Sequence, residues 1–203
     1  MYRMGQEEKD AVARVIDSKQ LFKVNDGPLK ETENCEREIR EMFNVKRAVL
    51  MTSGTASLTS ALIGMGVGPG DEVIIPEPSF VCYNPLVKMV GGVPVTIDLK
   101  EENEFRLTAD ELKEKITDKT KLLILPFPSN PTGAIMEKAD LEAIAEVLEG
   151  TDIMVLSDEI YSELTYGRKH CSIASLEGMR ERTIMVNGFS KASTFCSIKA
   201  FTL

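Results

Sequence analysis

At 203 residues, with 43% hydrophobic and 28% charged side chains, the chain is long enough for one well-buried α/β core and short for two full domains. A formal charge of −8 argues against nucleic-acid binding, which needs a basic face, so an anionic ligand must be held by local donors rather than by the overall field. No apolar run approaches the roughly 18 residues of a membrane span, and the first residues lack the apolar centre of a signal peptide.

The elements follow from periodicity. The stretch to about residue 30 is polar and ends in the turn sequence Asn25-Asp26-Gly27-Pro28. Cys35, Ile39, Met42 and Phe43 recur at helical spacing and predict an amphipathic helix. Arg47 to Met51 reads as a short strand, Thr52-Ser53-Gly54-Thr55 as the turn leaving it, and Leu58, Ala61, Leu62 and Met65 as the next helical stripe. Gly64, Gly66, Gly68 and Gly70 stop that helix and precede a strand, the reverse of a dinucleotide-binding fingerprint. Val73 to Ile75 predicts a buried strand, Asn84 to Met89 a helical segment, and Val93 to Leu99 another strand. Thr108-Ala109-Asp110-Glu111 has capping-box spacing ahead of Leu112 and Ile116. A strand follows at Leu122 to Leu125, then a helix carrying Leu141, Ile144, Ala145 and Leu148 that stops at Gly150. Ile153 to Leu156 and Ile184 to Val186 complete the strands. Apolar strands separated by helical stripes predict a parallel sheet covered on both faces. Ligands of such sheets bind beyond the carboxyl ends of the strands.

The unusual polar motifs fall at those ends. Leu122 to Leu125 runs into Pro128-Ser129-Asn130-Pro131-Thr132-Gly133, the next strand ends in Ser157-Asp158-Glu159-Ile160-Tyr161, and the last leads into Gly188-Phe189-Ser190-Lys191. An amide, a carboxylate with a phenol three residues on, and an amine are what a pyridoxal phosphate (PLP) site needs. Lys191 would form the imine and shuttle a proton. Asp158 would keep the pyridine nitrogen protonated, with Asn130 and Tyr161 on the phenolic oxygen. Phe80 would stack on the ring, and Ser53-Gly54-Thr55 at a helix start, aided by Ser190, would cradle the phosphate. Taken singly, each has a plainer role: Lys191 a solvated charge, Asn-Pro-Thr-Gly a turn, Asp158 and Ser53 helix caps, Phe80 a core residue. Their coincidence at consecutive strand ends favours the site. His170 is the one histidine, in a turn where a solvated side chain is expected, so histidine triads and most zinc sites are excluded. Cys35, Cys82, Cys171 and Cys196 are widely spaced, which predicts buried free thiols in a cytoplasmic protein and no metal site.

These motifs resemble the fold-type I PLP enzymes, and from about Val73 to Lys191 the class I/II aminotransferases. Ser129-Asn130-Pro131-Thr132-Gly133, Ser157-Asp158-Glu159-Ile160-Tyr161 and Gly188-Phe189-Ser190-Lys191 carry the resemblance, with Pro78-Ser79-Phe80-Val81 at the ring-stacking segment. From about Gln6 to Pro76 the chain also resembles the sugar aminotransferases of the DegT/DnrJ/EryC1/StrS type. Val12-Ala13-Arg14-Val15-Ile16, Gln20-Leu21-Phe22, Ser53-Gly54-Thr55-Ala56 and Gly68-Pro69-Gly70-Asp71-Glu72-Val73 carry that second likeness. The resemblance implies a three-layer αβα large domain with a mostly parallel sheet, over residues 31–203 after an N-terminal arm at 1–30. It implies Lys191 as Schiff-base lysine, Asp158 beside the pyridine nitrogen, Asn130 and Tyr161 on the phenolic oxygen, and Gly54 and Thr55 on the phosphate. It further implies amino transfer between an amino acid and a 2-oxo acid, in a homodimer.

The chain departs from the family pattern after Lys191. The family carries a phosphate-gripping arginine eight positions beyond the lysine; here Lys199 stands there, which keeps a charge but lacks the bidentate fork. With Leu203 as the last residue, the sheet is expected to be incomplete and the C-terminal small domain absent, as in a truncated or frame-shifted longer enzyme. Ser197 to Leu203 would give only a stub of the antiparallel strand the family inserts between the first strand and the one before the lysine. Three readings stay open: an aminotransferase (of amino acids or of sugar nucleotides), a catalytically incompetent PLP-binding fragment, and a plain α/β interaction domain.

Overall fold

The computed structural model describes residues 5–19, 21, 23 and 29–191, and the backbone alone of residues 192 and 199–202. The turn expected at Asn25-Asp26-Gly27-Pro28, together with Gln20, Phe22 and Cys196, lies outside the described residues. The chain opens with helices α1 (Gln6–Ser18) and α2 (Glu31–Phe43). Strand β1 (Ala48–Met51) leads into α3 (Gly54–Gly64), β2 (Glu72–Glu77), α4 (Tyr83–Met89) and β3 (Val93–Asp98). Then come α5 (Ala109–Lys115), β4 (Thr120–Leu125), α6 (Lys138–Leu148) and β5 (Met154–Asp158). After a long excursion with two 3-10 turns, β6 (Thr183–Gly188), α7 (Phe189–Ala192) and β7 (Lys199–Thr202) close the described chain.

The strands form one seven-stranded sheet in the order β1-β7-β6-β5-β4-β2-β3. Strand β7 is antiparallel to both β1 and β6, and the other pairings are parallel. The short antiparallel strand expected near the end is therefore formed, with Phe201 in register between Val49 and Val186. Its four residues suffice to pair both neighbours, so neither interior edge is left open.

Strand alternation sorts the core into two layers. On β4, Leu123 and Leu125 join Ile74, Val155, Leu112, Leu141 and Ile144 under α5 and α6. Leu122 and Ile124 point the other way, onto Leu58, Ala61, Leu62, Leu86 and Val87 of α3 and α4. Both sides of β4 are dry, so its residues read as an unbroken apolar run. Helix α5 starts as its sequence predicts. Thr108 Oγ1 accepts the Glu111 N–H at 3.3 Å, and the Glu111 carboxylate accepts the Thr108 N–H at 3.0 Å. Helix α3 ends at a turn in which Gly66 adopts φ +72°, a conformation that costs a side-chain-bearing residue about 1–2 kcal/mol.

The N-terminal part differs from its polar reading. It contains the 13-residue helix α1, none of whose residues is buried. Glu7 and Glu8 suit its N-terminus, and Arg14 ties it to Glu31 of α2 at 3.4 Å. Its large apolar residues are Val12, Val15 and Ile16, of which Val12 and Ile16 are exposed, so periodicity gave little to read. On α2 the expected stripe is partly displaced: Met42 and Phe43 are 77% and 44% exposed, while Ile39 and the charged Glu36 are buried. Glu36 is inward because its carboxylate accepts the Leu50 N–H of edge strand β1 at 2.8 Å and pairs with Lys23. It thereby satisfies a backbone donor that the sheet leaves open.

Candidate active site

The parallel topology carries the chain's polar motifs to one edge of the sheet. Asp158 ends β5, α7 with Lys191 follows β6 directly, the Ser129–Asn130 turn lies beyond β4, and α3 begins three residues past Met51 of β1. Lys199, at the start of β7, stands in register between Met51 and Gly188 at this same edge; its side chain is outside the described residues.

Asp158 is 8% exposed. Its Oδ1 accepts the Ile160 N–H at 3.2 Å, so it does cap the turn after β5, and its Oδ2 accepts the Tyr83 hydroxyl at 2.9 Å. Tyr83, 4% exposed in the first turn of α4, was not foreseen from the sequence. The usable signal was its place three residues after Phe80, but the 75-residue separation from Asp158 hides the contact. Burial pushes the Tyr83 phenol well above the ordinary tyrosine range, and the adjacent carboxylate adds to the rise. Tyr83 therefore donates rather than ionises. A pKa raised in the folded state stabilises the fold below the unfolded value near 10, an advantage lost as pH rises through the folded value. In an alkaline absorbance titration of the chain's four tyrosines, one is expected to ionise only as the protein unfolds, and Tyr83→Phe removes that late step. A titration in which all tyrosines of the folded chain ionise together contradicts the contact.

Asn130 Nδ2 donates toward the Tyr161 hydroxyl across 3.4 Å, and the Lys191 ammonium lies 5.5 Å from the centre of the Tyr161 ring, within cation–π range. The Asn-Pro-Thr-Gly turn is closed by Gly133 N–H to Ser129 O at 2.9 Å, with Gly133 at φ +75°. Ser53 caps α3, its Oγ accepting the Ala56 N–H at 3.1 Å. That leaves the first-turn amides of Gly54 and Thr55 at the positive end of an 11-residue helix. Ser190 Oγ is shielded from solvent and has no hydrogen-bond partner among the described residues. Phe80 stands 49% exposed just past β2, at the site's edge rather than in the core.

This donor set fits PLP. Ser190 is an orphaned buried hydroxyl next to Lys191, as a phosphate oxygen would require. The α3 N-terminus supplies further anion donors. A buried carboxylate, an amide, a phenol and an amine lie at the same strand ends, the polar groups the rest of the cofactor would need. Two expectations need correction. His170 is not solvated: its side chain is 19% exposed and its Nε2 lies 2.7 Å from Glu159 Oε2, because the buried carboxylate recruits a donor. Cys35 and Cys171 are free thiols as expected, but partly exposed rather than buried, and Cys82 is likewise partly exposed. Among the described residues no group of three or more His, Cys, Asp or Glu could hold a metal ion, and no helix is long and apolar enough to cross a membrane.

Known proteins carry the same architecture. Residues 8–195 match the family model "Aminotransferase class I and II", so the match runs through the N-terminal part as well. An aspartate aminotransferase of Pyrococcus abyssi is 56% identical over 168 residues, covering 80% of this chain and 41% of that protein. An aromatic-amino-acid aminotransferase of Thermococcus litoralis is 48% identical over 147 residues, covering 72% of this chain and 38% of that one. The crystal structure of an aromatic aminotransferase from Pyrococcus horikoshii superposes with a TM-score of 0.85 at 36% identity, over 99% of this chain and 56% of that structure. The chain thus spans less than half the length of those two curated relatives. Fold, motif order and a match over nearly its whole length agree: the chain belongs to the class I and II aminotransferases, a PLP-dependent family.

Proposed function

We propose that the chain is the cofactor-binding part of an aminotransferase that moves an amino group between an amino acid and a 2-oxo acid. The observation that supports it best is the grouping of Lys191, Tyr161 and Asn130 beside the Asp158–Tyr83 pair. When bound, PLP supplies an electron sink that makes the substrate's α-proton removable. Lys191 would hold the cofactor and, as the neutral amine, move that proton; its Nζ lies 5.5 Å from the centre of the Tyr161 ring. Asp158 would face the pyridine nitrogen, and Tyr83, donating to Oδ2, fixes the carboxylate's orientation. Asn130 and Tyr161 would donate to the phenolic oxygen. Ser190, Ser53, Gly54 and Thr55 would hold the phosphate, and Phe80 would cover one ring face. Residues 31–203 form the large domain and residues 1–30 the arm.

A second copy of the chain is the proposed partner. Helix α1 buries none of its residues and presents Val12 and Ile16, 56% and 61% exposed, one turn apart. The free thiols of Cys35 and Cys171 suit a cytoplasmic setting. For substrate, the named activities of the relatives favour dicarboxylic or aromatic amino acids.

The test is a half-reaction. The chain is loaded with PLP and mixed with L-aspartate or L-phenylalanine, without a 2-oxo acid. Loss of the visible cofactor band with release of the matching 2-oxo acid, in stoichiometric amount, is expected. A PLP-loaded chain that releases none with any amino acid contradicts transfer activity while leaving cofactor binding intact.

A further inference from the structure

The chain's single histidine and the carboxylate next to Asp158 take no part in the chemistry above, yet both are withdrawn from solvent. Glu159 is 3% exposed and turns to the opposite side of the sheet from Asp158. Its Oε1 accepts the Ser157 hydroxyl at 3.0 Å and the Ser172 hydroxyl at 2.5 Å, and its Oε2 faces His170 Nε2 at 2.7 Å. A carboxylate only accepts, so this ring nitrogen carries the proton. The Glu159 N–H donates to Val186 O at 2.8 Å, which pins the same residue to β6.

The chain leaves the sheet after Glu159, reaches the 92% exposed Tyr166, and returns at His170-Cys171-Ser172. Both ends of that excursion are therefore tied to one carboxylate. Tyr161 lies two residues inside it. Its direct contacts within the site are a 3.4 Å hydrogen bond from Asn130 and the Lys191 ammonium 5.5 Å from its ring, and both are long. Its place depends on how the segment is anchored. The anchor is strong, because a carboxylate so deeply buried is tolerated only with a full set of donors.

We propose that Glu159 and His170 form a buried clasp that positions Tyr161, and Asp158 beside it, for the cofactor. Neither touches the reacting atoms; both act through the backbone of residues 158 to 161. The effect on the cofactor rests on the aminotransferase reading, whereas the clasp itself rests on geometry alone.

The test uses the full chain, with and without added PLP, as wild type, His170→Ala, His170→Gln and Ser172→Ala. Losing one such donor is expected to weaken PLP affinity about tenfold in His170→Ala. It also raises the pH midpoint of the visible PLP band, because a displaced Tyr161 no longer donates to the phenolic oxygen. His170→Gln keeps an N–H directed at Oε2 and is expected to recover most of both. Ser172→Ala shifts both in the same direction by less, and serves if His170→Ala does not fold. Wild-type affinity and midpoint in all three variants would overturn the proposal. If the wild-type chain gives no PLP band, the aminotransferase reading fails and the clasp is judged by amide exchange without cofactor. Faster exchange confined to residues 160–165 in His170→Ala or Ser172→Ala supports it, and unchanged exchange there overturns it.

Discussion

Asp158→Ala is expected to weaken PLP binding by roughly tenfold to a hundredfold, the worth of one hydrogen bond to a charged group at about 1.5–3 kcal/mol. The same change strands the Tyr83 hydroxyl, which is 4% exposed and donates to this carboxylate at 2.9 Å. A buried donor left without its acceptor costs about 1–3 kcal/mol. The loss is offset in part because a desolvated carboxylate is also removed. Asp158→Asn separates the two effects. Its amide oxygen still accepts from Tyr83 while the Ile160 N–H loses its acceptor, so denaturant melting is expected between wild type and Asp158→Ala. Its neutral side chain cannot keep a pyridine nitrogen protonated, so PLP affinity and half-transamination stay low. Equal cofactor affinity in wild type and both variants contradicts the role of Asp158.

The largest effect on stability is expected in the sheet that carries the site. Leu123→Ala on β4 removes a fully buried side chain from the layer under α5 and α6. Leu→Ala changes at such positions cost about 2–5 kcal/mol, depending on how far the cavity collapses. Against a total of about 5–15 kcal/mol for a typical domain, that is a large fraction. Because β4 leads directly into Pro128-Ser129-Asn130, the loss is expected to reach cofactor binding as well. Urea unfolding checks it: a lower midpoint with an unchanged slope is predicted, whereas a shift below about 0.5 kcal/mol contradicts the packing described.

Much of the fold was legible because the central strands are dry on both faces. Leu122–Leu125 and Ile184–Val186 are apolar runs with no alternation to misread, and the helices between them carry clear stripes. The strand-end motifs were legible for a second reason: Asn130, Asp158 and Lys191 each follow such a run within a few residues. What escaped were contacts between distant residues that no local pattern encodes. Tyr83 reads as an aromatic at a helix start until Asp158 is brought beside it. His170 reads as a solvated turn residue and Glu36 gives no signal, since the buried carboxylate of Glu159 and the edge N–H of Leu50 that draw them inward arise only when the sheet assembles. Helix α1 escaped because it packs no residue into this chain's core, so its sequence carries little core-facing stripe.

The central claim is that consecutive strand ends converge so that an amine, a carboxylate and an amide enclose one PLP ring. Incubating the chain with stoichiometric PLP, reducing with borohydride and mapping the modified peptide by mass tests it most directly. A single label on Lys191, absent from Lys191→Ala together with the visible band, is the predicted result. Label scattered over surface lysines, or a visible band undiminished in Lys191→Ala, contradicts it.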